Sequence, residues 1–209
     1  MNPPNSLGRC TLLGFLVLLA GCNVVPPATE DPTRYYLLSD AGAPAPALPA
    51  ADGLRIGLRT VALEGYLKHR EIIVRTGPNE VDFRDYHRWA EPLDMAIAHI
   101  LAVRLQATPA VAQVWTEPFP IEQERDYDVF VRVTRFEGAR EGSGRYTASL
   151  SATVEVYTAG TSPRLVGRKV FVAPDQAWDG RDFDHLAGLL SADVVGLARE
   201  ILAELPAKG

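Results

Sequence analysis

The residues able to do chemistry are scattered along the chain. Its four histidines are His69, His87, His99 and His185, and no two stand at the spacing that puts a pair of imidazoles on one helical face to hold zinc. His99 reads as an edge-of-core residue of a helix, and His87 as either a turn residue or a contact to a partner. No serine sits in a Gly-x-Ser-x-Gly elbow; Ser149 and Ser151 alternate along a strand, where strand pairing explains them. Gly142-Ser143-Gly144 lacks the lysine and the strand–loop–helix setting of a phosphate loop and reads as a hairpin turn. The carboxylates Glu122, Glu124, Asp126 and Asp128 lie at a loop-to-strand transition and are expected to face solvent. A hydrolase would need a burial-perturbed acid or nucleophile in a deep pocket, and no motif supplies one. The expectation is a protein without enzymatic activity, cofactor or metal, one that binds.

The first residues say where it binds. Arg9 precedes an apolar run from Thr11 to Leu19, and about 10 apolar residues are too few to span roughly 30 Å of bilayer, so residues 1–21 read as an export signal. Leu19-Ala20-Gly21-Cys22 is similar to the bacterial lipoprotein box. That likeness implies that Cys22 is lipidated, becomes the first residue after cleavage and is N-acylated. Asn23 follows where an aspartate would imply retention at the inner membrane, which by the same likeness places the protein on the periplasmic face of the outer membrane of a Gram-negative bacterium. Cys10 departs with the signal and Cys22 is used by lipid, so no thiol remains for a disulfide and the domain must be held by its core. Two or three acyl chains make the anchoring stable. Of 209 residues, 188 then remain, with 20 basic against 26 acidic side chains; a mildly acidic domain without a long basic run argues against nucleic acid.

The elements follow from periodicity. Residues 22–33 form a lipidated tether, and residues 34–209 one domain with a Pro/Ala-rich loop over 39–53. Arg34 to Ser39 reads as a first strand docked at a sheet edge. Leu54, Ile56 and Leu58 alternate with Arg55, Gly57 and Arg59, the period of a half-buried strand. Glu71–Thr76 and Glu80–Tyr86 flank a turn at Gly77-Pro78-Asn79. A helix opens at Pro92, with Leu93, Ile97, Ile100, Leu101 and Leu105 on one stripe. A short strand at 111–116 and a loop at 117–126 follow. Then come two long strands from Tyr127 and from Gly144, the first with Val129, Val131, Val133 and Arg135 on one face and Phe130, Arg132, Thr134 and Phe136 on the other. A third strand completes the meander over 164–173. A closing helix carries Leu186, Leu190, Val194, Leu197, Ile201 and Leu205 on one side. The class is α+β: a single domain, with a largely antiparallel sheet covered on one face by two amphipathic helices.

Motifs in the first half have a likeness. Tyr66-Leu67 with Arg70, Ile73-Val74-Arg75, Asn79 in a turn and Trp89-Ala90-Glu91-Pro92-Leu93 opening a helix resemble the ABC-type transport auxiliary lipoprotein family. Tyr35 to Leu38 after a lipoprotein signal, and the closing helix, fit the same layout. Glu64-Gly65 and Lys68-His69-Arg70-Glu71 depart from it, where the family often has a proline before the Tyr-Leu pair and an Asp-Arg-Pro run after it. The resemblance implies an accessory subunit at the outer membrane. Its partner would be a mammalian-cell-entry (MCE) domain protein of a periplasm-spanning ABC-type system that moves lipids or related hydrophobic compounds between the membranes. It also allows a ring-shaped homo-oligomer. The alternative is a structural or assembly lipoprotein of the outer membrane not tied to transport. On either reading Tyr66, Arg70, Arg75 and Trp89 are the candidate docking residues, since Tyr, Arg and Trp are the usual interface anchors. For Trp89 the first reading is a packing role over the first helical turn, compatible with docking if one ring edge stays exposed.

Overall fold

Alternating apolar residues between Tyr127 and Thr158 build the longest hairpin, and the rest of the sheet grows from its flanks. In the computed structural model the described residues are 30–40 and 52–206. The export signal, Cys22, most of the tether and the centre of the Pro/Ala-rich segment lie outside them. The chain divides into the units Met1–Pro32 and Thr33–Gly209, and the fold is that of the second.

Its strands are β1 (Arg34–Tyr36), β2 (Leu54–Leu58), β3 (Ala62–Leu63), β4 (Glu71–Gly77), β5 (Glu80–Trp89), β6 (Val111–Thr116), β7 (Tyr127–Arg140), β8 (Tyr146–Thr158), β9 (Leu165–Val172) and β10 (Gln176–Trp178). The helices are α1 (Leu93–Gln106) and α2 (Phe183–Glu204), and a 3₁₀ turn spans Gly65–Lys68. The α+β class read from the sequence holds. The long pairings, β4–β5 and β7–β8–β9, are antiparallel. One flank of β7 is shared in succession by β2, β3 and β4, each in short parallel register. β6 extends the sheet beyond β2, and β5 then β1 extend it beyond β4. β1 is an edge strand, as expected, and runs parallel to β5 with Tyr36 opposite Trp89.

Both helices lie on one face. The stripe from Leu93 to Leu105 is buried, as are Leu186, Leu190, Val194, Leu197 and Ile201 on α2. They close over Ile56, Val129, Val131, Val133, Leu150 and Val154 in one core. Asp182 caps α2, accepting from the His185 N–H at 3.1 Å; Pro92 caps α1 without a side-chain bond.

Three expectations need correction. β5 runs through Trp89 rather than stopping at Tyr86. Two short strands, β3 and β10, and the 3₁₀ turn are too brief to show a period. Phe136 lies in the core with the valines rather than opposite them. The cause is a bulge: Val133 pairs with Ala152 and Arg135 with Ser151, so Thr134 is an extra residue and every side chain after it changes face.

Candidate functional site: a buried ion network on the open face

The bulge at Thr134 assembles the site. Beyond it Arg135 and Glu137 point to the open face of the sheet, the one the helices leave uncovered. Glu137 is fully buried there, and its carboxylate takes Nε of Arg75 at 2.5 Å, Nη2 of Arg75 at 3.2 Å and Nε of Arg135 at 3.0 Å. Arg75 reaches it because β4 pairs with β7 at Arg75 and Ala139. Tyr66, on the 3₁₀ turn, donates its hydroxyl to the Thr134 carbonyl at 3.0 Å and lies 3.1 Å from Glu137 Oε2. It thus ties down the carbonyl that the bulge frees from the ladder. Burial first, and then the Glu137 charge, push the Tyr66 phenol up, so it stays protonated and able to donate. The Arg75 guanidinium lies 5.8 Å from the Tyr66 ring centre, adding a cation–π contact.

Of the four candidate docking residues, the structure brings two together. Tyr66 and Arg75 share Glu137. Arg70 is exposed on the wall of a separate cleft of about 710 Å³, with Lys68, Arg132, Glu91 and Asp94. Trp89 is 4% exposed and meets Phe136 edge-on at 5.8 Å. Its own amide donates to the Arg70 carbonyl at 2.7 Å. Its surface is spent on packing, and it offers no ring edge to a partner. Cys22 lies outside the described residues.

Sequence reasoning missed Glu137, because a glutamate in an alternating strand reads as solvated. It also misplaced Asp128, expected at the surface but 4% exposed. Asp128 accepts from Arg59 Nη2 and Arg125 Nε, each at 2.8 Å, and Phe119 stacks against both guanidiniums at 4.7 and 4.0 Å. Asp126 accepts from the Arg55 amide at 2.7 Å, whereas Glu122 and Glu124 are exposed. These pairs pin the 117–126 loop to the sheet. His87 is neither turn nor free contact: it stacks on Phe183 at 3.9 Å and shares a 2.8 Å hydrogen bond with the Tyr36 hydroxyl. Burial first, then Arg34 and Arg84, hold its pKa low and keep it neutral. His99 is exposed on α1 rather than at the core edge. Among the described residues no cluster of His, Cys, Asp or Glu has the form of a metal site.

The geometry is that of a charge-bearing surface cross-linked by ion pairs. The profile of the ABC-type transport auxiliary lipoprotein component family matches residues 36–202. The chain belongs to this family. Membership assigns it an accessory role in transport and a membrane-anchored place in the cell envelope. Protein XCC0632 from Xanthomonas campestris has a similar structure, with a TM-score of 0.68 at 18% identity over 81% of this chain and 93% of that one. An uncharacterized protein of solved structure gives 0.64 at 19% identity over 83% of this chain and 99% of that one. At such identities the likeness is one of fold. No curated protein matches the sequence.

Proposed function

We propose that this protein is the outer-membrane, lipid-anchored accessory subunit of a periplasm-spanning ABC-type system with an MCE-domain partner, moving lipids or related hydrophobic compounds between the membranes. The observation that carries this reading is the family match over residues 36–202. Lipid on Cys22 fixes one end of the molecule. The segment 23–33 then tethers the domain within about 38 Å of the bilayer, the fully extended reach of eleven residues. The domain contributes binding: its role is to hold the far end of the transport assembly at the outer membrane, with the Tyr66–Arg75–Glu137 network keeping the open face rigid.

Two arms test the reading. In density-gradient fractionation of the envelope the wild type sediments with outer membrane and Cys22→Ala appears in the soluble periplasm; sedimentation with inner membrane would overturn the placement. Capture of an MCE-domain subunit with the tagged wild type is the second requirement, and its absence would remove the transport partner from the account.

A further inference from the structure

The cleft of about 710 Å³ that carries Arg70 lies where the two sequence motifs of the first half meet. One wall is the chain from Lys68 to Arg70, and the other is the opening of α1 from Glu91 to Asp94. The Trp89 amide, bonded to the Arg70 carbonyl at 2.7 Å, holds the two segments side by side. His69 has extended backbone, with φ −77° and ψ 155°, so Lys68 and Arg70 on either side of it leave the chain in the same direction. The His69 ring itself meets Phe83 edge-on, with centres 5.1 Å apart. Arg132 of β7 adds a third cation to the lining, and Glu91 and Asp94 supply two carboxylates.

None of these five side chains is in an ion pair with a described residue, and the one hydrogen bond among them is long, 3.5 Å from Arg70 Nη2 to the Ala90 carbonyl. Elsewhere on the sheet guanidiniums close on carboxylates, as Arg59 and Arg125 do on Asp128 and Arg75 does on Glu137. Here cations and acids line one cleft and stay beyond ion-pair reach of one another. An anion alone would meet the two acids, and an ammonium alone the three cations. A ligand carrying both charges satisfies both walls. Lys68 and Arg70, a point charge beside a fork, suit a phosphate, and Glu91 with Asp94 suits an ammonium that donates to them. Volume points the same way, since sites of about 300–1,000 Å³ enclose a small organic molecule rather than a lone ion. The buried side chains of Val61, Leu63 and Leu93 also line the cleft and give the carbon part of such a molecule an apolar contact.

We propose that this cleft binds a phosphoethanolamine group, its phosphate on Lys68 and Arg70 and its ammonium on Glu91 and Asp94. The group has two sources, a soluble ester and the head of a phospholipid, and both present the same pair of charges. The site stands on the cleft alone and does not depend on which assembly the domain docks.

The test is calorimetric titration of the full-length lipoprotein, in maltoside micelles, with glycerophosphoethanolamine. The wild type binds it about tenfold more tightly than glycerol 3-phosphate or ethanolamine, each of which carries one of the two charges. The double variant Lys68→Gln, Arg70→Gln weakens binding roughly ten- to hundred-fold with an unchanged melting temperature. Glu91→Gln lowers it toward the level of glycerol 3-phosphate without weakening glycerol 3-phosphate itself. Arg181→Gln, on the wall of a different groove, leaves both as they were. Dihexanoylphosphatidylethanolamine below its micellar concentration then separates the sources: binding about tenfold tighter than that of the glycerol ester assigns the site to a lipid head, and equal binding assigns it to a soluble ester. A wild type that binds neither ligand would overturn the proposal, as would glycerol 3-phosphate bound as tightly as glycerophosphoethanolamine, or equal binding by wild type and double variant. Preference for free glutamate or for a peptide of alternating glutamate and lysine would also overturn it.

Discussion

Arg75 Nε stands 2.5 Å from Oε1 of Glu137, and the carboxylate has no exposed surface. A buried carboxylate is costly unless paired, so this contact fixes where β4, β7 and the Tyr66 turn sit relative to one another. Replacing Arg75 by Met leaves Glu137 with Arg135 and Tyr66 alone. Urea unfolding should show a loss of about 2–3 kcal/mol, below the full penalty of a broken buried pair because Arg135 remains. Adding Glu137→Met should restore part of it. A single variant with an unchanged midpoint would mean that the pair holds nothing together.

Trp89 is a core residue despite its place in the most recognisable motif of the chain. Trp89→Ala opens a cavity against Phe136 and should cost about 3–5 kcal/mol, a fall in Tm of roughly 10 °C in calorimetry. Trp89→Phe should keep most of that stability. An alanine variant that melts as the wild type but loses its partner would reverse the assignment.

How far the sequence reaches is set by period and length. Strands and helices long enough to repeat an apolar pattern, from Leu54 to the closing helix, can be read directly, and so can the edge position of β1. β3, of two residues, and β10, of three, leave no period to read. The bulge at Thr134 is invisible for another reason: it adds one residue without any glycine or proline to mark it, and the alternation from Phe130 then predicts the wrong face for Phe136. The same slip hides Glu137. Tyr66 and Arg75 are legible as motif residues, but their meeting depends on β4 lying parallel to the far end of β7, a contact across 62 positions of sequence from Arg75 to Glu137.

Asp193 on α2 is 4% exposed and accepts from Gln176 Nε2 at 2.6 Å, while its second oxygen has no partner among the described residues. Burial raises its pKa from 3.8 to about 6. Between those values the folded protein keeps a proton that the unfolded chain releases, so this carboxyl costs stability as pH rises through the window, and the loss levels off above it. Asp193→Asn should therefore flatten the Tm between pH 4 and 6 and stabilise the protein at pH 7 by about 1–2 kcal/mol. The gain is held down because the new amide N–H also lacks a partner. A variant less stable than wild type at pH 7 would contradict the assignment.

Gly138 lets the sheet approach Trp178. A Cβ there would stand 2.7 Å from Cζ3 of Trp178 and 3.3 Å from Cδ2 of Leu186. Gly138→Ala should cost about 1–3 kcal/mol through overpacking and shift the Trp178 fluorescence. Unchanged stability and emission would show that the ring has room to move.

The central claim is that this anchored domain docks a transport assembly. Cross-linking in intact cells, followed by mild-detergent capture of the full-length tagged protein and mass spectrometry, tests it most directly. The account predicts an MCE-domain subunit enriched with the wild type and lost with Cys22→Ala. Recovery of outer-membrane or cell-wall components alone would contradict it and leave a structural lipoprotein of the envelope in its place.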